Sequence, residues 1–371
     1  MRIGLLGFGV VGRGVYEITA TREDMQVVKV VCLEDVTLPD ASVTKDFNDV
    51  LSDSTIDTVV EAMGGLHPAY EFVRAAMEAG KNIVTSNKAL VATFYDELIP
   101  LAERKGVQFR CTAAVGGGIG WLSELERSRR VQTIDQVGGI MNGTCNYILD
   151  SMTRLGLDYG EALKQAQALG YAEANPATDV EGIDTWHKVI LSSNVAFGVS
   201  LDPAGVPVAG IRSITAGDVA RFAAHGYVCK LISTGRRENG TFSAYVQPTL
   251  VPQGAPESAV PANYNLITFI GQTSGRMSLY GQGAGRYPTA YNVIQDCVDL
   301  LEGKPFYAPY GGKTPVANAV KLCYYVRGGY NLPVSIRETW EEAVITEPVS
   351  VDTMHAWLKD NPGAFIAALS E

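Results

Sequence analysis

The stretch RIGLLGFGVVG, residues 2–12, decides the fold. Arg2 to Leu6 is a short apolar run that reads as a β-strand. It leads at once into Gly7-Phe8-Gly9-Val10-Val11-Gly12, and an apolar helical pattern follows through Val15 and Ile18. Each glycine serves a separate need, with a tight turn at Gly7, close approach of backbone to a pyrophosphate at Gly9, and packing of helix on strand at Gly12. The pyrophosphate would rest on the helix N-terminus beside Val10 and Val11, where free N–H groups and the macrodipole favour an anion. Three spaced glycines alone are weak evidence. Between a strand and a helix they are the phosphate turn of a dinucleotide fold.

Outward from this turn, Val27–Leu33 reads as a second strand ending at Glu34-Asp35, 22 residues beyond Gly12. A carboxylate there accepts hydrogen bonds from the adenosine ribose and repels a 2′-phosphate, so NAD is favoured and NADP is the alternative. As a plainer reading, Glu34 caps a loop. Strand and helix patterns then alternate: Thr58–Glu61, Ala69–Ala79, Asn82–Thr85 and Phe94–Lys105. That alternation predicts an α/β fold with a Rossmann-like, doubly wound parallel sheet. Ligands bind at the carboxyl ends of such strands, which is where Gly64-Gly65 and Thr85-Ser86-Asn87-Lys88 fall. Lys88 is either a surface lysine or a group that meets the substrate.

Composition narrows the field. With 371 residues, two domains are expected. Net charge is −10 and no basic run occurs, so neither nucleic acid nor an anionic membrane surface is an expected partner. No segment approaches the roughly 20 apolar residues of a membrane helix. The six cysteines are scattered without metal-ligand spacing, as in a reducing cytoplasm. The four histidines are dispersed too, and no Ser-His-Asp arrangement competes.

The most chemically loaded segment is GYAEANPATDVEGIDTWHK, residues 170–188. It places Glu173, Asp179, Glu181, Asp184 and Lys188 just before an apolar helical run. Asp184 and Lys188 are four apart, so on a helix they share a face. Such a lysine can give and take a proton. The same residues also suit a solvated helix start with favourable acidic charge. His187, about 100° around the helix from Lys188, reads as a packing group.

Taken in order, the chain resembles the homoserine dehydrogenases over roughly residues 2–325. The matching segments are VVEAMGG (59–65), GKNIVTSNKAL (80–90), VGGGI (115–119), GIMNGTCNYIL (139–149), AQALGYAE (166–173), DVEGID…K (179–188), GI…KLI (210–232) and GQGAGRYPTA (281–290). The resemblance implies reversible reduction of aspartate 4-semialdehyde to homoserine with NAD(P)H, towards threonine and methionine. It implies that Lys188 is the acid/base group, Asp184 its partner, Glu173 the carboxylate for the substrate amino group, and Lys88 a second active-site lysine. Thr85 and the backbones of Gly170 and Gly285 match positions touching cofactor and substrate. Asn142-Gly143-Thr144 matches the turn at the substrate cleft, with Tyr171, Asn175 and Asp179 in the same substrate-binding set. A homodimer is implied as well.

The chain departs from the family pattern at several points. Asn175 stands where an aspartate is usual, and Gly120 followed by Trp121 replaces a proline turn. Thr112 stands where a glutamate commonly helps to bind a structural monovalent cation, leaving Val115, Gly117 and Ile119 carbonyls for a weak site at most. Trp186 brings a large aromatic beside the expected catalytic face. Together these raise an alternative, a related enzyme acting on another amino-acid aldehyde or alcohol. A non-catalytic nucleotide sensor is disfavoured, because Lys88, Asp184 and Lys188 are all present. The expected organisation is a dinucleotide-binding domain at 1–130, an α+β substrate and dimerisation domain at 131–325 with a return segment near 285–320, and an extension at 326–371. The last is too short for the family's regulatory ACT domain and is expected to cover the active site or a dimer partner.

Overall fold

A computed structural model of the chain describes residues 1–304 and 312–370. The chain divides into two compact units. The first comprises Met1–Val131, Asn194–Ser200 and Gln282–Lys313; the second comprises Gln132–Ser193, Leu201–Gly281 and Thr314–Glu371. Residues 305–311 of the expected return segment lie outside the described residues.

The first unit is built on β1 (Arg2–Leu6), β2 (Gln26–Val31), β3 (Ser42–Thr44), β4 (Thr58–Glu61), β5 (Asn82–Thr85) and β6 (Phe109–Arg110). Among the described residues they form one sheet in the order β3-β2-β1-β4-β5-β6, every neighbouring pair parallel. This is the doubly wound order whose switch point lies between β1 and β4. Strands buried on both faces read as continuous apolar runs, and Ile3, Leu5, Val30, Val60 and Val84 are all fully buried. The helix Arg286–Leu301 adds Ala290, Val293 and Cys297 to the same core. Each fully buried Val, Ile or Leu side chain here contributes on the order of 1.5–3 kcal/mol.

The glycine turn follows from local sterics. Gly7 has φ +92°, which disfavours any side chain, and a Cβ on Gly12 would lie 2.2 Å from the Gly7 carbonyl oxygen. The helix that starts here, Val10–Thr19, has no side-chain cap and no acidic residue in its first turn.

The helix expected at Phe94–Lys105 starts earlier, at Lys88. Asn87 caps it, its Oδ1 accepting the Leu90 N–H at 3.1 Å. Phe94, with φ −114°, marks a kink inside it, and Pro100 lies further on.

The second unit carries a mixed sheet. From one edge to the other the strands are Gly275–Gln282, Tyr264–Gly271, Ile134–Ile140, Tyr227–Glu238, Thr241–Pro252, Phe365–Leu369, Tyr324–Arg327, Ala343–Thr346 and Ile336–Trp340. The last four correct the expectation of a separate extension at 326–371. Phe365–Leu369 pairs in parallel with Thr241–Pro252, and its Phe365, Ile366, Ala367 and Ala368 are buried. The C-terminal stretch is sheet and core, because its apolar residues have no other place to leave water. Among the helices are Gly143–Leu155, Tyr159–Ala168, Ala177–Val180 and Ile183–Phe197. Among the described residues, no helix is long and apolar enough to cross a membrane.

Candidate active site

In the second unit, four polar side chains converge where the strand Ile134–Ile140 gives way to the helix Gly143–Leu155. Lys188 and Asp184 lie one turn apart on the helix Ile183–Phe197, both almost fully buried, with Nζ 2.7 Å from Asp184 Oδ2. Lys188 Nζ also donates to the Met141 carbonyl at 2.6 Å. An ammonium has three donors, so these two bonds leave one.

Asn142 organises the carboxylates. Its Nδ2 donates to Asp179 Oδ1 at 2.7 Å and to Asp184 Oδ2 at 2.8 Å. Its Oδ1 accepts the Cys145 N–H at 2.8 Å and so caps the helix that follows. Both amide hydrogens and the amide oxygen are thereby engaged, which fixes the side chain's orientation. The Thr144 hydroxyl donates to the Tyr171 carbonyl at 2.5 Å, tying the 142–144 turn to the segment that begins at Gly170. Burial, reinforced by Asp179 and Asp184, pushes the Cys145 thiol well above its ordinary value, so it is no nucleophile.

The remaining residues of this segment stand apart from that cluster. Glu173 is exposed, and its backbone carbonyl accepts from Gln167 Nε2. Tyr171 is partly exposed and packs against the Tyr147 ring. Asn175 is exposed and turns the chain into the helix Ala177–Val180, its Oδ1 accepting the Ala177 N–H at 3.3 Å.

Trp186 does not flank the face that carries Asp184 and Lys188. Two residues from both Asp184 and Lys188, it lies about 200° around the helix from each. Its indole N–H donates to the Val206 carbonyl at 2.9 Å. A cavity of about 370 Å³ lies on the sheet of this unit, among Ser233, Gln247 and Thr249. None of the Lys188 cluster lines it, and it holds no comparable acid/base pair.

The first unit gathers its own set at the carboxyl ends of β4 and β5. The Glu61 carboxylate, fully buried, accepts the Thr85 hydroxyl at 2.5 Å and the Met63 and Gly64 N–H groups at 2.8 and 3.3 Å. Asn87 Nδ2 reaches Glu61 at 3.4 Å and the Gly65 carbonyl at 2.7 Å. One carboxylate thus pins the Gly64-Gly65 turn to the Thr85-Ser86-Asn87 turn. Burial raises its pKa against the pull of these donors. Nothing in the sequence marked Glu61 except its place at the end of an apolar strand. Lys88 is the first residue of the following helix and half-buried. A cation at a helix N-terminus opposes the macrodipole, which suits a group whose purpose lies outside helix stability.

Glu34 lies beyond β2, its carboxylate 2.7 Å from Arg13 and largely exposed. With Cys32, Asp35 and Lys45 it lines a cavity of about 250 Å³ at the carboxyl ends of β2 and β3. The Arg13 guanidinium lies over the Phe8 ring. The bare N-terminus of the Val10–Thr19 helix, the open space beside Gly9 and this acidic cavity fit a dinucleotide. Gly285 is the residue immediately before the helix Arg286–Leu301.

The departures at Thr112, Gly120 and Trp121 have local accounts. Trp121 is fully buried at the start of the helix Trp121–Arg129, with Gly120 just before it. The Thr112 hydroxyl donates to Asp296 Oδ1 at 2.7 Å, and its N–H donates to Asp296 Oδ2 at 2.9 Å. The Gly117 and Ile119 carbonyls both accept from Asn292 Nδ2. No group of three or more metal-ligating His, Cys, Asp or Glu side chains occurs among the described residues.

A dinucleotide-binding sheet, together with a buried lysine and carboxylate in a second unit, defines an NAD(P)-dependent oxidoreductase. Comparison with known proteins makes this specific. Residues 7–112 match the family model described as the homoserine dehydrogenase NAD-binding domain, and residues 121–298 match that of homoserine dehydrogenase. The chain is 36% identical to the homoserine dehydrogenase of Bacillus subtilis over 316 residues, 81% of this chain and 73% of the relative. It is 40% identical to that of Mycobacterium tuberculosis over 266 residues, 70% of this chain and 60% of the relative. A solved homoserine dehydrogenase from Thiobacillus denitrificans superposes with a TM-score of 0.88 at 31% identity, covering 100% of this chain and 98% of the other. The chain belongs to the homoserine dehydrogenase family.

Proposed function

We propose that this chain interconverts L-homoserine and L-aspartate 4-semialdehyde, with Lys188 as acid and base. A bound nicotinamide dinucleotide supplies the hydride for reduction and takes it back in oxidation. As the aldehyde carbon is reduced, negative charge develops on its oxygen. The donor of Lys188 left over from Asp184 and Met141 is the group that meets this oxygen and delivers the proton. In the reverse direction the lysine amine removes the hydroxyl proton. Asp184 holds Nζ in place and stabilises the ammonium, while Asn142 keeps Asp184 fixed. Lys88, at its helix N-terminus, is assigned to the substrate's anionic end. Glu173, Gly170, Tyr171, Asn175 and Asp179 are assigned to substrate binding, and the 142–144 turn to the wall of the cleft.

The observation that carries this reading is the buried Lys188–Asp184 pair anchored on the Met141 carbonyl. The placement of Trp186, turned from the Asp184–Lys188 face onto the Val206 carbonyl, removes one argument for a different amino-acid substrate. NAD is the favoured cofactor, with Gly7, Gly9, Val10, Val11, Gly12, Gly64, Thr85, Ser86 and Gly285 lining its path and Glu34 on the ribose. A cytoplasmic homodimer serving amino-acid biosynthesis completes the proposal. The test follows nicotinamide absorbance with L-homoserine and with homologous amino alcohols, using NAD and NADP in turn. Robust turnover of homoserine is expected; turnover confined to another amino alcohol overturns the substrate assignment.

A further inference from the structure

The family resemblance implies a structural monovalent cation held by the loop that contains Val115, Gly117 and Ile119. The loop's own hydrogen bonds argue otherwise. Asn292, on the helix Arg286–Leu301 and almost fully buried, directs its Nδ2 at this loop. It donates to the Gly117 carbonyl and, at 3.0 Å, to the Ile119 carbonyl. An amide NH₂ carries two hydrogens, and two carbonyl oxygens accept them. Because both partners are acceptors, the amide nitrogen and not its oxygen must face the loop. The Ile119 carbonyl accepts a further bond from the Trp121 N–H at 2.7 Å, which fills its second lone pair.

Residue 112 itself brings no carboxylate for a cation. Thr112 carries a hydroxyl, and this hydroxyl is spent on Asp296 Oδ1 and Ser123 Oγ. Asp296 is itself engaged, by the Thr112 N–H at 2.9 Å, by the Thr112 hydroxyl at 2.7 Å, and by Arg110 at 3.5 Å. The neutral donor and the neutral residue 112 match each other in charge. A cation bridging the Gly117 and Ile119 oxygens would have to occupy the place of the Asn292 nitrogen.

We infer that the Asn292 side-chain amide takes the cation's structural role in this chain, so that the 115–120 loop is held without sodium or potassium. The amide is part of the covalent chain, and the loop is therefore insensitive to which monovalent ion is in solution.

The test compares the full-length protein in sodium, potassium and choline chloride at equal ionic strength, after exhaustive dialysis into the choline salt. Thermal unfolding gives a readout independent of catalysis. The three melting temperatures are expected to agree within about 1 °C, because an ion that binds the native state in excess over its dissociation constant raises the melting point and one that does not bind leaves it alone. A rise specific to sodium or potassium overturns the inference. Asn292→Ala supplies the second arm. Its melting temperature in choline chloride is expected to fall by roughly 3 °C or more, since two buried carbonyls lose their donor. An unchanged melting temperature would remove the amide from its assigned role. If Asn292→Ala does not fold, the wild-type comparison still decides.

Discussion

Lys188 Nζ lies 2.7 Å from Asp184 Oδ2, one helical turn away on the same face of a buried helix. Charged pairs this enclosed lose hydration, and they persist when further hydrogen bonds complete the shell. Here those bonds come from the Met141 carbonyl to the lysine side and from Asn142 to the aspartate side. The arrangement is a poor route to stability and a good one to orientation. It holds the ammonium in one place with one donor left over.

Replacing Lys188 with alanine is expected to lower kcat by roughly 10²- to 10⁴-fold, the range of a lost general acid. Binding of the dinucleotide should persist, because the glycine turn lies in the other unit. Stopped-flow and fluorescence titration of the cofactor separate the two quantities. A variant with near-native turnover would take Lys188 out of the chemistry.

Asn142→Ala removes both bonds to the carboxylates and the cap on Cys145 N–H. Each bond to a charged group is worth about 1.5–3 kcal/mol, and a helix cap about 1 kcal/mol. Turnover should fall about 10- to 100-fold, with a measurable drop in melting temperature. Asn142→Asp can still cap, yet brings a third carboxylate against Asp179 and Asp184. It should therefore recover part of the stability and none of the rate. Near-native turnover in Asn142→Asp would show that Asn142 only caps.

We predict that Glu34, beside Arg13, sets the choice between cofactors. Glu34→Ala frees the Arg13 guanidinium for a 2′-phosphate, and charge-assisted bonds of this kind are about twice as strong as neutral ones. The ratio of kcat/KM for NADP over NAD is expected to rise by at least about 10-fold, or roughly 1.4 kcal/mol. No change in that ratio would place Glu34 outside the cofactor's reach.

Much of this was legible in the sequence, and the pattern of what was not is instructive. β1, β4, β5 and the helix Ile183–Phe197 fall where the apolar runs placed them, because buried parallel strands and buried helices leave uninterrupted apolar signatures. β3 is three residues long and at most half-buried, which is too little to stand out. Lys88 read as a turn residue, since the Asn87 cap that converts it into a helix start depends on one side-chain bond. The strand Phe365–Leu369 was missed because one of its partners lies far back in the chain, at Thr241–Pro252. Asn292 went unnoticed for the same reason: the carbonyls that give it meaning are some 175 residues away in sequence. Side-chain identities carried the Lys188 and Asp184 pair, whereas the Asn142 bridge needed three dimensions.

His355 makes stability depend on pH. It is almost fully buried on the helix Val351–Asp360, with Nε2 2.9 Å from Gln247 Oε1, an oxygen that also accepts the Tyr324 hydroxyl. Burial lowers its pKa from 6.5 to about 4, with the nearby Asp352 opposing and Lys359 adding to the shift. The folded protein therefore refuses a proton that the unfolded chain accepts. Above pH 6.5 neither state is charged at this site and it has no effect. As the pH falls from 6.5 to about 4, the unfolded chain gains the proton first and stability is lost, by up to about 3 kcal/mol when the shift is fully expressed. Below about pH 4 both states are protonated and the loss levels off. Denaturant titrations of the wild type and His355→Gln across this range measure the effect directly. The variant's curve should be flatter, converging towards the wild type at the acid end even if the substitution lowers stability at neutral pH. Parallel curves would mean that other groups set the acid limb.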